Sequence, residues 1–263
     1  MALSGNHING DSIFAGKRAL VIGGSGGIGR AIAFGLAFRG ADVTITGGNS
    51  SSRLEQTLAE MNETTVAEGR NPKHTGFICK IGGPEGFSPQ DAAAFILKQS
   101  GSPDILVISW GPFKKNVLQD TAPGDWHFLI ENNLIFPGIM VSLVLRDMLD
   151  RGWGRILLFG GTKTAEIRGY LNTAAYSAAK TALGTLVKSV AKSVKNTEIC
   201  CNIICPGLTI TEYSDPVEFA HYREKYSGAK LLAVQDIADY ALGVLESPAV
   251  NGAIIPVDGG LWV

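Results

Sequence analysis

Short apolar runs alternate with longer amphipathic stretches along most of this chain. Seven runs have the length and aliphatic composition of buried strands, at 18–22, 43–46, 76–79, 105–109, 155–159, 199–204 and 253–257. Nearly continuous apolar runs are typical of parallel sheets covered on both faces, because neither face then needs polar side chains. The pattern therefore predicts one sheet of about seven parallel strands.

Helical stretches separate these runs, at about 28–39, 52–68, 88–100, 125–150, 173–195 and 235–246. Regular alternation of strand and helix predicts βαβ units, and hence an α/β, doubly wound fold with helices on both faces. No repeat or linker divides the chain, so we expect a single domain over 14–263 after a polar tail at 1–13. The polar, aromatic segment 212–228 interrupts the alternation. It indicates either a lid over a binding site or a surface excursion with a short helix.

Composition and charge narrow the classes of function. The 263 residues carry a net charge of −1, which gives no electrostatic reason to expect nucleic acid as a partner. No apolar run approaches the ~20 residues of a membrane span, and the first residues lack the pattern of a signal peptide. The four cysteines have no zinc spacing, so we expect reduced core thiols in a cytoplasmic protein, and no metal site.

A glycine-rich turn follows the first predicted strand. The sequence Gly23-Gly24-Ser25-Gly26-Gly27-Ile28-Gly29 leads directly into a predicted helix. Glycine permits a tight turn there and lets backbone N–H groups at the helix N-terminus approach a pyrophosphate. Such a turn taken alone indicates only flexibility. Its position between a strand and a helix at the start of an alternating sheet predicts a dinucleotide site.

Tyr176 and Lys180 lie four residues apart in the predicted helix AAYSAAKTAL. Residues at this spacing project from the same helical face, which makes a phenol and an ammonium neighbours. Because a positive charge favours phenolate, we expect the pKa of Tyr176 to lie below its usual value of about 10. Such a phenol exchanges a proton with a substrate oxygen near neutral pH. The alternative is a chance pairing on a surface helix whose ring packs on the core.

Five motifs along the chain resemble those of the short-chain dehydrogenase/reductase family, and they occur in the family's order. IGGSGGIG is similar to the family's TGxxxGIG, and Tyr176 with Lys180 is similar to its catalytic YxxxK. Asn133 matches the asparagine of the family's active-site helix. The two remaining motifs are PGxxxT, which lies beside nicotinamide in the family and matches Pro206, Gly207 and Thr211, and the C-terminal VDGG at 257–260. The resemblance extends from about residue 14 to residue 263.

The resemblance implies a single Rossmann-like domain and a nicotinamide-dependent enzyme similar to the ketoacyl reductases. Family members are usually tetramers, with the helices at 125–150 and 173–195 at one interface, so we expect a homo-oligomer, a tetramer or a dimer. The residues that match the family's cofactor site are Gly23, Ser25, Gly27, Ile28, Gly29, Gly111, Tyr176, Lys180, Pro206, Gly207 and Thr211. The loop residues Asn49, Ser50 and Ser51 are further cofactor candidates, for the chemical reason given below.

Three positions depart from the family pattern. The family's NNAG is here ISWG, which keeps only the glycine, Gly111. The aspartate expected near adenine is Lys80, which cannot accept a hydrogen bond from the adenine amino group. The usual position of the catalytic serine is Lys163. Thr162 is the expected replacement, with Thr164 as second candidate; the alternative is that both only cap the following turn.

The end of the second strand bears on the choice of cofactor. An acidic residue there binds the ribose 2′-hydroxyl and repels a 2′-phosphate, and 46–53 contains none. Asn49, Ser50 and Ser51, with a charge from Arg53 or Arg30, can hold a phosphate, although Asn and Ser suit a helix N-cap equally well. We therefore expect NADP(H), with NAD(H) as the alternative.

Together the motifs predict reduction of a carbonyl to an alcohol, or the reverse, on a small molecule. Tyr176 would give or take the proton, Lys180 would hold the nicotinamide ribose, and Thr162 would bind the substrate oxygen. Asn133 would place a water behind Lys180, or else mark a helix kink near Pro137. An aromatic pocket is one interpretation, and core packing the other, of Trp110, Phe113, Tyr170, Tyr213, Phe219 and Tyr222.

Two other functions stay open at this point. The departures at the NNAG, serine and aspartate positions favour a nucleotide-binding sensor or scaffold with weak catalysis. An epimerase or dehydratase would use the same tyrosine and lysine, but such relatives usually carry a longer C-terminal substrate domain. Neither the substrate nor the direction of the reaction follows from the sequence.

Overall fold

Seven strands form a parallel sheet at the centre of the molecule. The structure is a computed structural model, and it describes residues 12–71, 73–225 and 231–260. They are β1 (Arg18–Ile22), β2 (Asp42–Gly47), β3 (Thr75–Ile78), β4 (Ile105–Ile108), β5 (Trp153–Phe159), β6 (Glu198–Pro206) and β9 (Ile254–Val257). The two strands β7 (Thr209–Ile210) and β8 (Leu232–Ala233) form a small separate sheet that the apolar pattern did not predict.

The order of the strands places a crevice at the carboxyl ends of β1 and β4. The sheet runs β3-β2-β1-β4-β5-β6-β9, and Ile22 of β1 pairs with Thr46 on one side and with Ile108 on the other. The chain therefore winds outward in one direction from β1 and in the opposite direction from β4. Ligands of doubly wound sheets bind at such a reversal point.

Helices cover both faces of the sheet. They are α1 (Gly27–Phe38), α2 (Ser51–Ala67), α3 (Pro89–Ser100), α4 (Pro123–Ile130), α5 (Phe136–Arg151), α6 (Ala174–Ser193), α7 (Pro216–Lys225) and α8 (Val234–Glu246). One core cluster includes Ile32 of α1 and Leu242 of α8, and the other includes Met140 of α5 and Leu183 of α6. The prediction of an α/β, doubly wound fold in one domain is confirmed.

Local composition explains the helix that carries the candidate chemistry. In α6 the residues Ala175, Ala179, Leu183 and Val187 are all buried, and they repeat every fourth position along one face. Alanine and leucine also have the highest helix propensities. The buried stripe fixes α6 against the sheet, which holds the remaining side chains of the helix at set positions.

The predicted helix at 125–150 is two helices with a wider turn between them. A π-helical segment, Glu131–Ile135, separates α4 from α5, and Pro137 lies in the first turn of α5. Proline has no N–H to donate to the preceding turn, which is consistent with the break in the regular ladder. A helix kink near Pro137 was one interpretation of Asn133 from the sequence, and the structure has a change of pitch directly before that proline.

The helical stretch Pro123–Arg151 is long and apolar enough to cross a membrane by length and composition alone. The expectation that no run approaches that length was therefore wrong. Only 44% of its most apolar window is buried inside the protein, although Met140 and Val144 of α5 belong to the core. An apolar helix that packs on one side leaves an exposed apolar surface on the other.

Two predicted segments fall partly outside the described residues. The lid candidate at 212–228 contains α7, while 226–228 lie outside them. Of the polar tail at 1–13, only residues 12 and 13 are described, and Phe14 is already fully buried. The four cysteines are buried and free of disulfides, and the described ranges contain no group of three metal-ligating side chains.

Candidate active site

A cavity of about 510 Å³ opens at the carboxyl ends of β4, β5 and β6. Its wall combines residues that follow these strands with side chains from α6 and α7. The predicted site residues that line it are Ile28, Gly111, Thr162, Tyr176, Lys180, Pro206, Gly207 and Thr211. Residues separated by most of the chain therefore meet at one cavity beside the strand-order reversal.

Helix α6 delivers Tyr176 and Lys180 into this cavity. The Lys180 Nζ donates a hydrogen bond of 2.9 Å to the carbonyl oxygen of Phe159, at the end of β5. It lies 5.9 Å from the centre of the Tyr176 ring. The Phe113 ring meets the Tyr176 ring edge-on at 4.9 Å. The tyrosine and lysine thus share one face, as their spacing predicts.

Burial governs the protonation of both groups. Loss of solvent raises the pKa of Tyr176 above its ordinary value, and Cys205 and Tyr170 nearby act in the same direction. Burial lowers the pKa of Lys180 to about 8, an effect that Cys205 opposes. The expectation of a lowered Tyr176 pKa was therefore wrong for this structure, because burial is the largest cause of the shift and disfavours the charged phenolate.

Asn133 lies behind Lys180 in the π-helical segment. Its Nδ2 donates to the carbonyl oxygens of Pro112, at 2.9 Å, and Leu129, at 3.1 Å. Its Oδ1 is buried and has no hydrogen-bond partner among the described residues. A Cβ added at Gly111 would collide with this Oδ1 and lie 2.8 Å from the Lys180 Nζ. The amide oxygen and the ammonium therefore face the same small space beside Gly111.

The glycine turn is packed too closely for side chains. Gly27 has a φ of +53°. A Cβ at Gly29 would collide with the carbonyl oxygen of Gly23, and a Cβ at Gly23 would lie 2.9 Å from the Cβ of Trp110. Ser25 is buried within the turn, and its carbonyl oxygen accepts a hydrogen bond of 3.3 Å from the Thr57 hydroxyl. The turn thus presents backbone atoms to the crevice, as a phosphate cradle requires.

A model of the short chain dehydrogenase family matches residues 17–220, which include the glycine turn, Asn133, Tyr176 and Lys180. This chain belongs to the short chain dehydrogenase family.

Relatives of this dehydrogenase align along nearly the whole chain. The 3-oxoacyl-(acyl-carrier-protein) reductase FabG of Escherichia coli (strain K12) is 31% identical, over 95% of this chain and 99% of its own length. The 2-dehydro-3-deoxy-D-gluconate 5-dehydrogenase of Bacillus subtilis (strain 168) is 32% identical, over 94% of this chain and 95% of its own. As a member of this family, the protein is an NAD(P)-dependent oxidoreductase.

A solved structure supports the same assignment. A blue fluorescent protein from a metagenomic library, in complex with NADPH, is 27% identical and superposes with a TM-score of 0.79. The superposition covers 95% of this chain and 99% of that one. The described residues therefore share their fold with this NADPH complex along nearly the whole of both chains.

The two candidate threonines of this dehydrogenase differ in their surroundings. Thr162 lines the cavity. Thr164 is buried outside the cavity wall; its hydroxyl accepts from the Gly161 N–H at 2.7 Å and donates to the Gly161 carbonyl oxygen at 2.9 Å. Thr164 therefore caps its own turn. Lys163, at the usual serine position, also lines the cavity and has a φ of +66°.

The predicted phosphate loop lies at the N-terminus of α2. Ser50 caps this helix, since its hydroxyl accepts a hydrogen bond of 3.2 Å from the Arg53 N–H; Asn49 precedes the cap and Ser51 is the first helical residue. Of the two arginines proposed for charge, Arg30 pairs with Glu60, and Arg53 binds the Tyr213 hydroxyl at 2.8 Å. Ser50 is a cap here, and capping leaves its neighbours available to a phosphate.

The aromatic residues separate into two groups. The expectation of a pocket holds for Phe113, Tyr170, Phe219 and Tyr222, which line the cavity. It was wrong for Trp110, which packs edge-on against the buried Phe136 at 5.9 Å, and for Tyr213, which lies at the glycine turn. Side-chain direction at these positions depends on the tertiary path of each loop, so composition alone could not sort them.

Sequence reasoning missed several cavity residues. The missed polar residues are Ser109, Lys115, Asn172, Thr173, Ser177 and Thr209. The position of Ser177 beside Tyr176 on α6, and of Ser109 two residues before Gly111, was the available signal. Lys80, where the family has an aspartate, forms an ion pair of 2.7 Å with Glu85.

Proposed function

We propose that this dehydrogenase reduces a carbonyl to an alcohol with NADP(H), or runs the reverse reaction, through a Tyr176–Lys180 acid–base pair. The convergence of Tyr176, Lys180 and Thr162 on one cavity beside the glycine turn carries the proposal. When bound, the cofactor supplies or accepts the hydride. The protein orients the substrate, excludes water and moves the proton.

Tyr176 is the proposed acid in the reductive direction. A raised pKa keeps the phenol protonated near neutral pH, so it has a proton to give to the developing alkoxide. Thr162 would donate a hydrogen bond to the same oxygen, and Lys180 would bind the ribose hydroxyls. The Asn133 Oδ1, which has no hydrogen-bond partner within the described part of the chain, supports a water beside Gly111, through which the proton on Tyr176 would be replaced.

The residues around the crevice fit a dinucleotide. Glycines of the turn leave backbone space for a pyrophosphate, and the nicotinamide end would lie against Ile28, Pro206, Gly207 and Thr211. Residues 46–53 contain no acid to repel a 2′-phosphate, while Arg53 offers a cation beside Asn49, Ser50 and Ser51. These features favour NADP(H) over NAD(H), and a solved structure similar to this chain contains NADPH.

We also propose that the protein is a cytoplasmic homo-oligomer, a tetramer or a dimer, acting on a small molecule without a nucleic acid or a membrane as partner. The exposed apolar side chains of the 123–151 stretch, Ile135, Leu143 and Leu149, support self-association. They are 41%, 46% and 43% exposed, and a second copy would remove them from water. We propose that residues 14–263 form one domain and that residues 1–13 form a tail before it.

A carbonyl panel with NADPH and with NADH tests the proposed function. Loss of nicotinamide absorbance with a ketone, faster with NADPH than with NADH, supports it. The panel would include 3-oxoacyl compounds, after the name of the Escherichia coli relative, and keto sugar acids, after the name of the Bacillus subtilis relative. Cofactor binding without turnover on any carbonyl would instead support a sensor or scaffold.

A further inference from the structure

A carboxylate already lies on the glycine turn. The Oε1 of Glu212 accepts a hydrogen bond of 2.8 Å from the N–H of Gly27, the first residue of α1. A Cβ added at Gly26 would lie 2.5 Å from the same Oε1. The first N–H groups of a helix have no partner within the helix and attract anions. Glu212 therefore satisfies the very donor that the proposed function assigns to a pyrophosphate.

The next residue contacts the second phosphate-binding element. The Tyr213 hydroxyl accepts a hydrogen bond of 2.8 Å from the Arg53 Nη1. The Arg53 guanidinium also lies 4.9 Å from the centre of the Tyr213 ring. Adjacent residues thus engage the pyrophosphate turn and the cation proposed for the 2′-phosphate. A single short segment covers both sites.

This segment is an ordered turn, which we call the strap and define as 211–214. The Thr211 N–H donates to the Ser214 hydroxyl at 2.8 Å, and the Tyr213 N–H donates to the Thr211 hydroxyl at 3.2 Å. The Ser214 N–H donates to the Thr211 carbonyl oxygen at 3.1 Å. These bonds hold Glu212 and Tyr213 in position, so their contacts do not depend on a loose loop tip.

We propose that Glu212 is an internal anion that occupies the phosphate-binding turn and must be displaced when the cofactor binds. The inference rests on the proposed function, because it assigns the turn to a dinucleotide. A pyrophosphate oxygen and the Glu212 carboxylate cannot both accept from the Gly27 N–H at that position. Their negative charges also repel each other. Cofactor binding and the closed strap are therefore mutually exclusive.

The strap connects this exchange to the substrate cavity. It leads directly into α7, whose Phe219 and Tyr222 line the cavity. The residue displaced by the cofactor therefore lies in a segment that continues into the wall of the cavity.

The test compares the full-length protein with Glu212→Gln, which removes the charge, and Glu212→Ala, which also removes the hydrogen bond. NADPH binding is measured by fluorescence titration. We expect the dissociation constant to fall about three- to ten-fold, more for Glu212→Ala, because the competing anion is gone. Glu224→Gln, an exposed position on α7, removes a charge nearby and should leave the affinity unchanged.

Hydrogen exchange of the cofactor-free proteins separates the strap from a general charge effect. In Glu212→Ala the amides of Gly27 and of 211–214 should exchange at least several-fold faster than in the wild type, whereas Glu224→Gln should not alter them. Equal or weaker NADPH affinity in both Glu212 variants overturns the inference alone. Absence of any dinucleotide binding, in wild type and variants alike, refutes the proposed function and the inference with it.

Discussion

The Lys180 ammonium is anchored to the backbone of β5, 5.9 Å from the centre of the Tyr176 ring. Its 2.9 Å hydrogen bond to the Phe159 carbonyl oxygen fixes the charge at the end of a strand. Because the protein surrounds this charge, the pKa of Lys180 falls to about 8. Burial of this cation therefore lowers the stability of the folded protein. Such destabilising groups are common at functional sites, where activity and stability make opposite demands.

Removing the phenol hydroxyl tests the acid–base role of Tyr176. In Tyr176→Phe we expect turnover to fall by about 10²–10⁴-fold, because general acid–base help of this kind is lost. The ring and its packing against Phe113 remain, so the dissociation constant for NADPH should stay within a few-fold of wild type. Steady-state kinetics and fluorescence titration measure the two quantities. Tyr240→Phe, on the exposed side of α8, is the control, and full activity in Tyr176→Phe would refute the role.

Replacing the buried cation should stabilise the protein while abolishing activity. Below pH 8 Lys180 is protonated in both states, with a pKa near 10.5 in the unfolded chain and about 8 in the folded protein. Burial of this charge therefore lowers the free energy of unfolding of the wild type. Lys180→Met should therefore raise the free energy of unfolding at pH 7 by on the order of 2 kcal/mol, with a Tm several degrees higher.

The stability difference between Lys180→Met and the wild type should depend on pH. Between pH 8 and 10.5 the unfolded chain binds more protons at this position than the folded protein, so wild-type stability recovers as the pH rises. The advantage of Lys180→Met should accordingly shrink across this range in thermal unfolding. Lys188→Met, at an exposed position on α6, should change stability by less than about 0.5 kcal/mol. A wild type more stable than Lys180→Met at pH 7 would contradict the prediction.

The two threonines of the 162–164 turn should separate function from stability. Thr162→Val should lower turnover by about 10²-fold, because a donor to the substrate oxygen is lost, with little change in the unfolding free energy. Thr164→Val should lower the unfolding free energy by about 1–3 kcal/mol, because the buried Gly161 N–H loses its acceptor, while the Gly161 carbonyl oxygen keeps the Thr164 N–H as a donor. Denaturant unfolding and kinetics on both variants provide the measurement; the reverse pattern would assign the substrate contact to Thr164.

Asn132 and Asn133 form a natural pair for testing the proton relay. Each is fully buried, donates to the carbonyl four residues earlier and has an Oδ1 without a hydrogen bond among the described residues. Asn133 faces Gly111 and Lys180, whereas Asn132 faces Gly82. Both alanine variants should lose about 1–3 kcal/mol of unfolding free energy. Only Asn133→Ala should also lose turnover, about ten-fold or more; equal kinetic losses would reduce Asn133 to a structural residue.

Positions of the elements followed from the sequence because periodicity is a local property. Each predicted strand appears within two or three positions of its predicted bounds, and so do the five helices predicted outside 125–150. Helix α7 had no predicted bounds, because a short helix was only one alternative for 212–228. The spacing of Tyr176 and Lys180 likewise fixed their common face before any tertiary contact was known. A kink near Pro137 was one interpretation from the sequence, but its form, the π-helical segment Glu131–Ile135, was not predicted.

Chain pattern alone therefore determined the doubly wound architecture, the glycine turn and the pairing of phenol with ammonium, all of which depend on residues close together in sequence. Tertiary structure decided what depends on distant residues. Burial in the folded protein raises the pKa of Tyr176, and the hydroxyl of Thr164 caps its own turn. The carboxylate of Glu212 accepts a hydrogen bond from the Gly27 N–H, 185 residues away in the chain. Solvent exclusion and long-range contacts have no local signature, so only the folded path reveals them.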